Sequence, residues 1–180
     1  MVPIIDDLPE FMTVLTSDRK KIKIPTKIVK ESKFLTRYYE LFKRPYVIGM
    51  IHFKSDGYEK LITLLSLCDL NTPHIPLRFT FLDESLTPAL SAFAEANQPV
   101  MDYFNSLSAL DVFKILTACN RLLVERVDDL FRVYIRTLDE ERRDRLMRAQ
   151  FATFRYFNYI ESIQNGYELN DGYVLPAEGA

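Results

Sequence analysis

His52, His74, Cys68 and Cys119 carry most of the reactive potential of this sequence, and their surroundings speak against a metal centre or a nucleophilic dyad. A structural metal site takes Cys, His or carboxylate ligands in short repeats, about two to four residues apart. Neither His has the set of Cys, His or carboxylate neighbours at such spacing that a site needs, so both read as core or solvated histidines. Cys68 and Cys119 fall on apolar stretches, where a thiol behaves as a small hydrophobe rather than a nucleophile. The five Gly form no phosphate-cradling loop. Acid pairs such as Asp128-Asp129, and the run Asp139 to Glu141, read as solvated helix ends. The expectation is a protein without catalytic residues, metal or cofactor.

Composition narrows the class further. The 180 residues suit one domain, with a chain long enough to bury a core without disulfide staples. Two thiols in such a chain read as reduced and intracellular, and a cytoplasmic or nuclear location is expected. The first residues carry acid where a secretory leader needs base, and no apolar run has the length of a membrane span, so no membrane partner is expected. Charge is balanced at net −2 overall. It is uneven along the chain, with 12 Lys/Arg against 8 Asp/Glu in residues 1–60. The basic run from Arg19 to Lys23 alternates with Ile22 and Ile24 as the wet face of a strand does, and the chain lacks the general basicity of a nucleic-acid binder.

These side chains need a frame, and hydrophobic periodicity supplies it. Residues 11–16 and 22–24 alternate apolar and polar around a break at Asp18-Arg19, which predicts a hairpin. Thr26 and Ser32 are candidate caps for two short helices, residues 46–53 a third strand, and Ser55-Asp56-Gly57 the start of a helix to about Cys68. Pro73, Pro76, Pro88 and Pro99 predict an irregular connector over 69–100, broken by a helix near 89–96. From Ala109 the pattern gives two packed helices. Thr137-Leu-Asp-Glu140 matches a capping box opening a third helix over about 139–163, with Glu141/Arg145 and Asp144/Arg148 at ion-pair spacing. Strands first and helices after define an α+β domain.

The order of these elements and the residues on them resemble a known family, the adaptor subunit of SCF ubiquitin ligases (S-phase kinase-associated protein one), within the BTB/POZ superfamily. Thr16-Ser17-Asp18, Ile22, Ile24, Ile28, Lys30 and Ser32 follow that family's opening pattern without a gap. Pro99-Val100-Met101-Asp102 and Phe104 are similar to its entry to the second half, with Met101 in place of Trp. Phe113, Ala118, Asn120, Leu122, Val124 and Asp129 recur at its spacing, and Leu138 replaces a Pro. The resemblance implies a BTB/POZ-like core over 11–136 after a tail of residues 1–10 and a C-terminal helical extension over 137–165, while the polar sequence after Asn165-Gly166 reads as a frayed, flexible tail over 166–180.

It also implies a non-enzymatic adaptor that bridges a cullin and an F-box protein. Asn120 and Arg121 take the cullin-facing turn, where Arg121 stands in place of the family's usual Tyr. Val127, Leu130, Phe131, Tyr134, Ile135 and Leu146 take the F-box or partner-facing side. Phe151, Phe154 and Phe157 join that side; they recur every three residues, which fits either a core stripe or a partner-docking surface. The alternative is a scaffold protein that uses the same fold for self-association or for a non-F-box partner.

Overall fold

The computed structural model describes residues 8–42, 47–50, 54–77 and 88–148. The architecture is α+β, a small N-terminal sheet followed mostly by helices. Strand β1 (Phe11–Thr16) pairs antiparallel with β2 (Lys21–Pro25), and β3 (Val47–Met50) lies parallel to β1, giving the order β2-β1-β3. The alternation does what a period of two requires: Met12, Val14, Ile22, Ile24 and Ile48 point inward, while Phe11, Lys21, Lys23 and Val47 face out. Arg19 closes the hairpin at a φ of 61°, with its N–H on the Thr16 carbonyl at 2.9 Å.

Between the second and third strands run α1 (Thr26–Glu31) and α2 (Lys33–Phe42). Ser32 caps α2 as expected, accepting the Leu35 N–H at 3.0 Å. Thr26 does not cap α1. It is the first helical residue, and its hydroxyl reaches back to the Pro9 carbonyl instead, because the proline before it already sets the turn into the helix. Helix α3 (Ser55–Ser66) packs its Tyr58, Leu61 and Leu65 face on the sheet and on the later helix Ala109–Leu122.

The expected irregular stretch over 69–100 is corrected at its end. α4 (Pro88–Ala96) is the anticipated helix, but α5 (Gln98–Ser106) follows at once, with Pro99 in its first turn, where a missing N–H costs nothing. Then come α6 (Ala109–Leu122) and α7 (Glu125–Thr137). Residues 140–148 are helical, and the rest of the expected third helix lies outside the described residues. Its cap is Asp139, whose carboxylate accepts the Arg142 N–H at 2.7 Å. Thr137 is spent on the Tyr134 carbonyl inside α7, so the expected capping box does not form. The ion pairs Glu141/Arg145 and Asp144/Arg148 are present at 3.5 and 3.9 Å, both exposed.

One core runs through all these elements. At its C-terminal end Tyr134 stacks on Phe104 with centroids 4.9 Å apart, and Phe131 meets Phe104 edge-on at 6.1 Å.

Candidate functional site

The apolar face of α6, with Val112, Ile115, Ala118, Cys119 and Leu122 all buried, fixes where the helix must end. It stops at Leu123, a left-handed residue at φ 53° and ψ 58°, and the chain restarts as α7 two residues later. This short corner is tied to the N-terminal half by its main chain. Ser32 donates its hydroxyl to the Leu122 carbonyl at 2.5 Å, and the Lys33 N–H reaches the Leu123 carbonyl at 3.3 Å. The Cys119 thiol donates to the Val124 carbonyl at 3.1 Å, and Lys33 pairs with Glu125. Asn120 and Arg121 are both exposed on the last turn of α6.

A left-handed Leu is uncommon. The Cβ crowds the following carbonyl, at a cost of about 1 kcal/mol or more relative to Gly. Leu123 also leaves 52% of its surface in solvent. The corner therefore presents a rigid apolar knob beside a cation. Arg121 acts inward as well: burial pushes the Tyr58 hydroxyl up to about 12, and the nearby guanidinium opposes that rise.

Below the corner, α7 clamps two further segments. Arg126 holds Glu31 through two bonds of 2.8 and 3.1 Å and donates a third, at 2.7 Å, to the Thr72 carbonyl. Asp129 lies 2.9 Å from His74 Nε2 and accepts the Leu77 N–H at 2.9 Å. This corrects the reading of Asp129 as part of a solvated helix end: it is buried, and only Asp128 of the pair meets solvent. His74 serves as the partner of a buried carboxylate. Strap 69–77, between α3 and α4, is thereby pinned to α7.

The residues assigned to a receptor on α7 fall differently from expectation. Val127, Leu130, Phe131 and Tyr134 are buried inside the chain itself, on the side of α7 that meets α4, α5 and α6. Their apolar surface is already consumed by folding, so they are not a docking surface in this state. Ile135 is half-buried, Leu146 is buried and Met147 is exposed. Phe151, Phe154 and Phe157 lie outside the described residues. His52 also falls outside them. Both thiols are free, and burial pushes Cys68 up to about 11 and Cys119 to about 12. Among the described residues no group of three or more His, Cys, Asp or Glu is placed to hold a metal, and no helix is long and apolar enough to cross a membrane.

Sequence reasoning missed Leu123 and the His74–Asp129 pair. The first had a signal, since Leu122-Leu123-Val124 puts three apolar residues where a helix-helix turn is normally polar. The second had half of one: Asp129 and Val133 share a second inward stripe on α7, four residues apart. No family model, curated protein or solved structure matches the chain.

Proposed function

We propose that this chain is a non-enzymatic adaptor of the SCF type, joining a cullin to an F-box substrate receptor in a ubiquitin ligase, on a BTB/POZ-like core. The observation that carries the reading is the α6–α7 corner. There the turn bearing Asn120 is joined through Ser32, Lys33 and Glu31 to the two helices that follow the hairpin. A bridging protein needs such a joint, because affinity and geometry are its whole function and a loose corner would lose binding energy to ordering. The exposed apolar end of α2, Leu41 and Phe42, enlarges the surface on the same half. The receptor side then rests on Ile135 and on helical residues 140–148.

The burial of Val127, Leu130 and Tyr134 favours a second reading, in which the same fold is a scaffold for self-association or for a non-F-box partner. Titrating the chain separately with a cullin N-terminal domain and with F-box peptides distinguishes the two. The adaptor reading expects both to bind, and expects the exposed substitution Asn120→Lys to weaken the cullin alone. A self-associating chain that binds neither, as read by light scattering, would support the scaffold.

A further inference from the structure

We propose that the strap between α3 and α4 displays a preformed polyproline II ligand, Thr72-Pro73-His74-Ile75-Pro76, for a protein domain whose aromatic-walled groove takes up two X-Pro pairs, as SH3 domains do. The proposal goes beyond the adaptor reading and stands whether or not the chain binds a cullin.

The sequence confines this backbone before any contact is made. Each proline ring holds its own φ at about −65° and drives the residue before it out of the helical region. Pro73 and Pro76 therefore restrict Thr72 and Ile75 too, so that four of the five residues favour the angles of a polyproline II helix. Burial follows the same geometry. Such a helix has about three residues per turn, and hence three edges. His74 and Leu77 share one edge and are turned inward: the imidazole meets Asp129 at 2.9 Å, and Leu77 packs against the core. The other two edges, Thr72 with Ile75 and Pro73 with Pro76, are exposed.

Recognition of a polyproline II segment seats X-Pro pairs between aromatic rings and leaves the third edge unread. Thr72-Pro73 and Ile75-Pro76 are two such pairs, and the edge left over is the one this protein keeps for itself. Prolines alone would serve to stiffen a strap, but they do not account for Ile75. It leaves 81% of its surface in solvent, more than any other large apolar side chain among the described residues. The segment is also held from behind at both ends. Arg126 donates to the Thr72 carbonyl at 2.7 Å, and Asp129 accepts the Leu77 N–H at 2.9 Å. The ligand is thus ordered before it binds, which removes part of the entropy loss on association.

Titration of the full chain against a panel of fluorescently labelled SH3 domains, read by anisotropy, tests this beside thermal melts. At least one domain is expected to bind. Ile75→Asp is expected to weaken that binding by about tenfold or more while leaving Tm unchanged, because its side chain already stands in solvent. The double substitution Pro73→Ala with Pro76→Ala is expected to weaken it at least as much. Binding by either variant equal to that of the unsubstituted chain overturns the motif. A fall in Tm for Ile75→Asp assigns that side chain to the core and likewise overturns it. A panel in which no domain binds the unsubstituted chain overturns the proposal and leaves the adaptor reading standing.

Discussion

The carboxylate of Asp18, in the hairpin turn, caps a helix that starts 37 positions later: it accepts the Ser55 N–H at 3.0 Å and the Ser55 hydroxyl at 2.7 Å. Thr16 completes the arrangement, donating its hydroxyl to the same carboxylate at 2.5 Å. The first turn of α3 thus takes its cap from a distant turn rather than from its own sequence, and the hairpin is locked to the helix behind it. Ser55-Asp56-Gly57 looks like a local start signal, but Lys54 occupies the cap position and offers no side-chain acceptor.

Acid should therefore loosen the joint between hairpin and α3. The Thr16 and Ser55 hydroxyls, followed by the Ser55 N–H, hold the Asp18 carboxyl down at about 2, against 3.8 for an ordinary Asp. A group whose pKa is depressed on folding gives stability that is complete above the unfolded value and is lost as pH falls through the folded one. Denaturant midpoints measured from pH 5 down to 2 should decline most steeply below about pH 4. Asp18→Asn should show a lower midpoint at pH 5 and a shallower decline. Parallel curves for the two proteins would rule the cap out as a source of acid sensitivity.

The His74–Asp129 contact makes a stability prediction of another kind. Asp129→Ala removes the acceptor of the Leu77 N–H and the partner of a largely buried imidazole, and breaking such a buried pair costs about 3 kcal/mol. Replacing both partners, as in His74→Leu with Asp129→Leu, should recover a large part of that loss, since no polar group is then stranded. Urea unfolding reads the stability, and hydrogen exchange at the Leu77 amide reads the strap. Unchanged exchange at Leu77 in Asp129→Ala would show that the carboxylate does not hold the strap.

These two contacts mark where the sequence stops being readable. The hairpin was legible because Met12, Val14, Ile22 and Ile24 obey a period of two, and α6 and α7 because their apolar residues recur on a helical face. The break between them after Leu122 is legible from the same two apolar runs. The rest depends on pairings between remote positions. Nothing near Asp18 announces Ser55, and nothing near His74 announces Asp129, because a hydrogen bond needs only spatial proximity while periodicity records only local order. The same limit explains the α7 residues. An apolar stripe says that a face is buried, not whether α4 and α5 of the same chain or another protein buries it.

Close packing between α3 and α6 sets opposite expectations for two glycines. A Cβ on Gly57 would lie 3.0 Å from the Lys114 carbonyl oxygen, whereas one on Gly49 meets nothing within 4 Å. Gly57→Ala presses a Cβ on a helix backbone that has no flexible side-chain end to give way, an overpacking cost of up to about 3 kcal/mol against a gain of about 1 kcal/mol in helix propensity, so a net loss of stability is expected. Gly49→Ala adds a side chain to an exposed strand position and should stabilise by about 0.5 kcal/mol. Thermal melts of the two single variants check the sign of each. A stabilised Gly57→Ala would mean that the helices have room to separate.

Alkali should weaken the fold through its thiols. Burial is the main cause that raises Cys68 to about 11 and Cys119 to about 12, from 9.0 for an unperturbed thiol. Above pH 9 the unfolded chain releases these protons and the folded chain keeps them, so the unfolded state is favoured increasingly as pH rises toward the folded values. Each thiol then removes about 1.4 kcal/mol per pH unit at most. Chemical denaturation at pH 8, 9 and 10 should show this decline in the natural chain and a smaller one in Cys68→Ala with Cys119→Ala, whose remaining slope comes from Lys and Tyr side chains. The same protonated state should make Cys119, which is almost fully buried with its hydrogen on the Val124 carbonyl, resist alkylation at neutral pH until the protein unfolds. Rapid alkylation of Cys119 in the folded chain would show that the α6–α7 corner opens.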